Sequence, residues 1–294
     1  MAHAKSGILK SILADTRDAI ARSRRLTTDS EIQLRAARAK PPRSLEQALR
    51  KSKGLIAEIK VRSPSMGSMR AENVAAAPVA YEKSEIVRAV SVLTNETYFG
   101  QSIMQLGELR SIISKPILRK DFIIDEYQIF EARAYGADAI LLMTTILNAE
   151  ELQRLGDCAQ SLGLDVLYEA HDEQEISMLP TGARICGINS RKLDSRRLGL
   201  QHWLRRFLPV ADHSIVSDRY LLADRLPAGS VRVAESGLSS ENIGRVLQDF
   251  DAALVGTSLL LAADGVQAEL ARFEQALKHN PMTPGAQAAS ESKP

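Results

Sequence analysis

The side chains able to do chemistry in this chain stand at the ends of short apolar runs. Glu58 and Lys60 lie two residues apart after Leu55-Ile56-Ala57, and a strand turns residues at that spacing to one face. Lys120, Glu169, Asn189 and Glu235 each close a similar run, at Pro116–Lys120, Asp165–Glu169, Ile185–Asn189 and Val231–Glu235. Burying an unpaired charge is costly or forces neutralisation, so a packed interior does not account for two lysines, three glutamates and an asparagine at equivalent positions. A lysine beside carboxylates can donate a proton as a general acid. A glutamate among apolar neighbours can have the raised pKa that acid–base work needs.

The turns that follow these runs suit a small anion. Arg62-Ser63-Pro64-Ser65-Met66-Gly67 is basic and rich in turn residues. Ser236-Gly237 follows Glu235, and Gly256-Thr257 follows Val255, positions where backbone N–H groups can hold phosphate. Arg62 and Ser63 could close on that phosphate from the first strand. His3, His171, His202, His213 and His279 are scattered without ligand spacing, so no metal site is expected. No Gly-rich nucleotide motif is present.

The elements that must position these groups alternate. Aliphatic runs occur at Leu55–Lys60, Ala89–Thr94, Pro116–Lys120, Ala139–Met143, Asp165–Glu169, Ile185–Asn189, Val231–Glu235 and Ala252–Val255. Helix-like segments intervene, among them Tyr127–Tyr135, Ala149–Leu162 and Ser240–Gln248. Strands separated by helices imply a parallel sheet, and eight of them close a (β/α)8 TIM barrel whose strand C-termini form the active face. Gly136-Ala137-Asp138-Ala139 and Phe250-Asp251-Ala252 echo one another as turns leading into strands.

Upstream, Ile8–Arg25 has helical periodicity, and its Arg22, Arg24 and Arg25 read as a solvated helix end. Lys40-Pro41-Pro42-Arg43 breaks the chain before Ser44, an N-cap with Gln47 as partner in a capping box. The expected organisation is an N-terminal helical extension over residues 1–50 packing on a barrel over residues 51–275. An elongated connection at 192–230, with Trp203 on a helix of its own, and a disordered tail at 280–294 complete it.

Composition narrows the function classes. Of 294 residues 45% are hydrophobic and only 4% aromatic, and the formal net charge is +2. That charge and the scarcity of rings argue against a nucleic-acid partner. No run approaches membrane-spanning length and no secretory leader is evident. Cys158 and Cys186 form no disulfide framework, and Cys186 reads as a small buried hydrophobe. A cytoplasmic enzyme, monomeric or a weak homo-oligomer, is expected.

Seven blocks, in order, carry a family resemblance: AEIKVRSPSMG (Ala57–Gly67), SVLTNETYFGQS (Ser91–Ser102), PILRKDFIIDEYQIFEARAYGADAILL (Pro116–Leu142), VLYEAHDEQE (Val166–Glu175), GINSRKL (Gly187–Leu193), VAESGLS (Val233–Ser239) and LVGTSLL (Leu254–Leu260). Through them the chain resembles indole-3-glycerol phosphate synthase, a (β/α)8 enzyme of tryptophan biosynthesis. The resemblance implies closure of 1-(2-carboxyphenylamino)-1-deoxyribulose 5-phosphate to indole-3-glycerol phosphate, with loss of carbon dioxide and water and no cofactor. It implies Lys120 as general acid, Glu169 as manager of proton transfer in the dehydration, and Glu58 and Asn189 as orienting groups. Lys60 would hold the substrate carboxylate and Lys120 by charge, and Ser236 would line the pocket. Phe99 and Arg191 would shape the anthranilate side, with Leu141 and Leu193 as apolar walls. Arg62, Ser63, Gly237, Gly256 and Thr257 match the phosphate cradle, beside Glu235 as a substrate-binding group.

The chain departs from the family pattern in places. Arg62 stands where a lysine is common, Tyr81–Val90 lacks the expected glycine turn, and the loop after Gly67 is alanine-rich. The Asn189-to-Glu235 connection is longer than usual. The long connection leaves a paralogue acting on a related aryl-amino sugar phosphate as an alternative, a non-catalytic phosphosugar-binding or assembly protein is a second, and the lysines that end two strands leave a Schiff-base aldolase as a third.

Overall fold

The computed structural model describes residues 7–64, 66–191 and 218–279. Leu193, Trp203, most of the 192–230 connection and the 280–294 tail lie outside the described residues. Eight parallel strands close a barrel: β1 (Gly54–Ile59), β2 (Val87–Leu93), β3 (Ile117–Lys120), β4 (Ala139–Met143), β5 (Asp165–Ala170), β6 (Ile185–Asn189), β7 (Val231–Glu235) and β8 (Ala252–Val255). Each pairs with its chain neighbours and β8 returns to β1. This is the (β/α)8 barrel expected from the alternation of runs. Lys60 and Thr94 fall one residue beyond their strands.

The strands are buried on both faces, which explains why they read as continuous aliphatic runs. At the N-terminal rim the two echoed turns have the same physical purpose. Asp138 accepts the Ile117 N–H at 2.7 Å, and Asp251 accepts the Arg232 N–H at 2.8 Å. Each aspartate thus occupies a backbone donor at the start of a neighbouring strand, a donor that would otherwise go unpaired.

Three helices precede the barrel. α1 (Gly7–Leu26) matches the expected amphipathic segment and puts Leu9, Ile12 and Leu13 into the main core. α2 (Asp29–Arg38) was not anticipated, because it buries only Ile32 and Ala36. Its start was nonetheless written in Thr28-x-x-Glu31, which forms a full capping box. α3 (Leu45–Lys51) begins at Ser44 as expected: the Ser44 Oγ accepts the Gln47 N–H and donates its own proton to Asp165 at 3.0 Å. Arg24, in the basic end of α1, pairs with Asp29 and Asp125 and lies over the Tyr127 ring. It joins α1 and α2 to the helix Glu126–Ala134 rather than meeting solvent alone. The helix expected at Ser240 starts at Ile243, after a turn in which Asn242 Oδ1 accepts the Ser239 N–H.

Candidate active site

Strand register decides which residues share the barrel interior. Glu58 pairs with Ser91, Leu93 with Lys120, Leu141 with Leu167, Met143 with Glu169, Glu169 with Gly187, and Asn189 with Glu235. Paired residues of a parallel sheet point the same way and alternate residues along each strand share a face. Glu58, Lys120, Leu141, Glu169, Asn189 and Glu235 therefore all face the axis, at its C-terminal end. Glu58, Lys120, Glu169 and Glu235 come from β1, β3, β5 and β7, the alternate strands that supply one layer of a barrel's interior.

Two lysines share Glu58. Lys60 Nζ donates to its Oε1 at 2.5 Å, and Lys120 Nζ lies 3.9 Å from its Oε2. Lys60 therefore acts on Lys120 through the carboxylate between them. Lys120 Nζ is also 3.9 Å from Glu235 Oε2. Burial works to raise the Glu58 carboxyl, but Lys60 and Lys120 outweigh it and hold it below the usual carboxylate range. Burial also works to lower the Lys120 ammonium, and the charges of Glu58, Glu169 and Glu235 raise it above the ordinary lysine value. Lys120 is thus charged at neutral pH, and among the described residues its Nζ has no close hydrogen bond.

Glu169 and Glu235 are almost wholly buried, and none of their four carboxyl oxygens has a hydrogen-bond partner among the described residues. Burial and the neighbouring Glu169 push Glu235 well above the usual carboxylate range. Facing each other without an N–H or hydroxyl donor among the described residues, the two carboxyls meet through Glu235, whose proton is held there by burial and by Glu169. Two glycines make room for this crowding. A methyl on Gly187 would stand 2.2 Å from Glu235 Oε1, and one on Gly256 would stand 2.5 Å from Glu58 Oε1. Gly256, singled out beside a phosphate-sized turn, thus has a second role in clearing space for Glu58.

The remaining residues form the rim. Ser236 has φ 71°, in the left-handed region, and Gly237 follows at φ 70°. For serine this costs about 1–3 kcal/mol. Tyr220 and Ser190 hold the turn by donating to the Ser236 carbonyl at 2.5 and 3.1 Å. Thr257 opens the short helix after Gly256. Ser63 is buried, and its Oγ accepts the Met66 N–H within the short hairpin that pairs Arg62–Ser63 with Gly67–Ser68. Arg62 is held by the Glu96 and Thr97 carbonyls at 2.9 Å, so its described contacts are with the loop after β2. Phe99 stacks on Phe122 at 6.3 Å. Asn189 Oδ1 accepts the Arg191 N–H at 3.0 Å, and the exposed Arg191 acts by charge on Glu58 and Lys120. Leu193 lies outside the described residues.

Sequence reasoning missed His171 and Glu175, two to six residues beyond Glu169. His171 Nε2 stands 3.7 Å from Glu169 Oε1 and its Nδ1 is 2.9 Å from Glu175 Oε2. The i, i+4 spacing of His171 and Glu175 was the available signal. Among the described residues no group of His, Cys, Asp and Glu has the arrangement of a metal site, and no helix is long and apolar enough to cross a membrane. Cys186 is wholly buried and its thiol is pushed up to about 11 by burial, as a small core hydrophobe.

The family described as indole-3-glycerol phosphate synthase matches residues 9–273. Indole-3-glycerol phosphate synthase 2 of Streptomyces coelicolor is 38% identical over 274 residues, covering 88% of this chain and 96% of the relative. The Mycobacterium avium and Bacteroides thetaiotaomicron synthases are 36% and 33% identical, over 87% and 86% of this chain and 90% and 92% of theirs. Among solved structures, 3-hexulose-6-phosphate synthase from Salmonella typhimurium superposes with a TM-score of 0.54 at 14% identity, over 78% of this chain and 99% of that one. Thiamine phosphate pyrophosphorylase from Pyrococcus furiosus gives 0.53 at 16%, over 81% and 100%. Those two speak to the fold alone. Sequence, fold and relatives converge, and this chain belongs to the indole-3-glycerol phosphate synthase family.

Proposed function

We propose that this chain closes the indole ring of 1-(2-carboxyphenylamino)-1-deoxyribulose 5-phosphate, releasing carbon dioxide, water and indole-3-glycerol phosphate. The observation that carries the reading is the layer Glu58–Lys120–Glu169–Glu235, in which a charged lysine meets acids of opposite tendency. Lys120 gives its proton to the ketose carbonyl oxygen as the ring carbon attacks. Charge develops on that oxygen in a site already shaped to meet it, so little reorganisation is needed. Decarboxylation restores the aromatic ring, and Glu169 moves the protons that let the hydroxyl leave as water. Glu58 fixes both lysines, leaving Lys60 to meet the substrate carboxylate. Asn189 and Ser236 orient the substrate, and Glu235 holds Lys120 from the far side.

The phosphate is assigned to the turns at Gly237 and Gly256-Thr257 with Ser63. Arg62 is assigned to the approach, where it braces the β2 loop. Phe99, Leu141 and Arg191 flank the aryl group. The low pKa of Glu58 and the high one of Lys120 do not favour a Schiff-base aldolase, which needs a neutral amine. Incubating the purified chain with the arylamino sugar phosphate tests the reading. Growth of indole fluorescence with equimolar carbon dioxide is expected, and no product despite saturable binding would refute it.

A further inference from the structure

The proposed reaction has a charge balance that the layer of four does not close by itself. The substrate carboxylate leaves as neutral carbon dioxide and the hydroxyl leaves as water, so each turnover takes up one proton. Of the layer, Glu58, Glu169 and Glu235 are almost wholly buried, so a proton bound for Glu169 needs a path inward. We propose that His171 is a positioning residue that relays this proton from Glu175, at the barrel rim, to Glu169 at its centre. The inference rests on the proposed function and deepens it.

The geometry is directional. His171 is only 2% exposed, whereas the Glu175 side chain is 18% exposed and reaches solvent. Glu175 Oε2 is fixed by three donors: the His171 backbone N–H at 2.8 Å, Thr144 Oγ1 at 2.9 Å and the His171 ring at 2.9 Å. That leaves His171 Nδ1–H on Glu175 and turns Nε2 to Glu169, which among the described residues faces no other donor than the carboxyl of Glu235. The 3.7 Å separation is an ion-pair distance, longer than a hydrogen bond, so the transfer requires the ring and the carboxyl to close it. A purely structural histidine here needs only its Nδ1 bond.

In the transfer, the Nε2–H bond of the imidazolium breaks as an O–H bond forms on Glu169. The neutral imidazole that remains keeps its Nδ1–H; it becomes imidazolium again when the ring turns its bare nitrogen to Glu175 and takes there a proton that solvent has delivered to that carboxylate. The charged and polar groups acting on the ring are Glu169 on β5, Glu175 and Thr145 beside Nδ1, and Arg219 through its charge. Burial and Arg219 oppose the cation, and the two glutamates outweigh them and raise the imidazole above its ordinary value.

The test compares first and later turnovers in His171→Gln and Glu175→Gln. With enzyme in excess, a first turnover can use the resident Lys120 proton and is expected to keep the rate of the unsubstituted chain. With substrate in excess, kcat is expected to fall about a hundredfold, the lower end of what a positioned acid–base group contributes. KM should be unchanged, and added imidazole should restore kcat in His171→Gln. An unchanged kcat in both variants, or a parallel loss of first and later turnovers without rescue, overturns the relay. A second readout needs no activity. Nitrogen NMR of His171 should show its pKa lowered in both Glu169→Gln and Glu175→Gln, and no shift in Glu169→Gln overturns the link. If the unsubstituted chain makes no product while this coupling is present, the proposed reaction fails and the His171–Glu169 link stands.

Discussion

Replacing Gly187 by alanine perturbs the site through one methyl group. Gly187 faces the barrel axis on β6, and the added carbon would stand 2.2 Å from Glu235 Oε1, 3.2 Å from its Cδ and 3.4 Å from Leu167 Cδ1. Favourable carbon contacts lie at about 3.5–4.0 Å, so the carboxyl must retreat by roughly 1 Å. Glu235 would then leave its 3.9 Å position beside Lys120. A misplacement of about 1 Å in a reacting constellation costs on the order of a hundredfold in rate. The stability cost of overpacking is about 1–3 kcal/mol, a drop in Tm of a few degrees. Gly182→Ala is the control, since nothing lies within 4 Å of its added methyl. Steady-state kinetics and thermal unfolding of both variants decide the matter. Gly187→Ala should lose kcat about a hundredfold and remain folded, and Gly182→Ala should lose neither. Full kcat in a folded Gly187→Ala would refute the claim that Glu235 must stand where it does.

Other consequences are separable from that one. Arg119 is buried against Asp121 and Glu131 and also bonds Thr94 and the Gln128 carbonyl; Arg119→Met leaves both acids unpaired and should cost about 3–5 kcal/mol in urea unfolding. Because the surrounding acids raise Lys120, the alkaline limb of kcat should lie above the ordinary lysine range, and Glu58→Gln should move it downward; a limb that stays put excludes Lys120 as its source. His171 has a raised folded pKa, so its contribution to stability is complete below the unfolded pKa of about 6.5 and is lost as pH rises through the folded value. The Tm difference between the unsubstituted chain and His171→Gln should therefore shrink at alkaline pH, and a difference that grows would contradict it.

The central layer was legible because each of its members ends an aliphatic run in the wrong chemical type. Glu58, Lys120, Glu169 and Glu235 have no reason to sit there as core, and an eight-strand closure brings them together. What the sequence could not convey was approach across the barrel. The close fit of Gly187 to Glu235 and of Gly256 to Glu58 depends on strand stagger. The strain at Ser236 depends on the donors Tyr220 and Ser190 from other segments. His171 was passed over as one of five scattered histidines, because a search for metal spacing ignores a single ring between two carboxylates. Arg62 was read from its charge alone, and the Glu96 and Thr97 carbonyls that hold it are some thirty residues away in sequence. α2 was missed for a different reason: its apolar face is two residues wide, while its start signal at Thr28 and Glu31 is local and complete.

Ring closure turns most directly on the charge state and place of one amine, and Lys120→Met measures it. The variant removes the ammonium while keeping an unbranched side chain of similar length. It should bind the arylamino sugar phosphate by calorimetry with little change, since Lys60 and the turns at Gly237 and Gly256 remain. Its kcat should fall by about 10²–10⁴-fold or more, the contribution of a positioned general acid. Turnover near that of the unsubstituted chain would show that the proton reaches the ketose from another group.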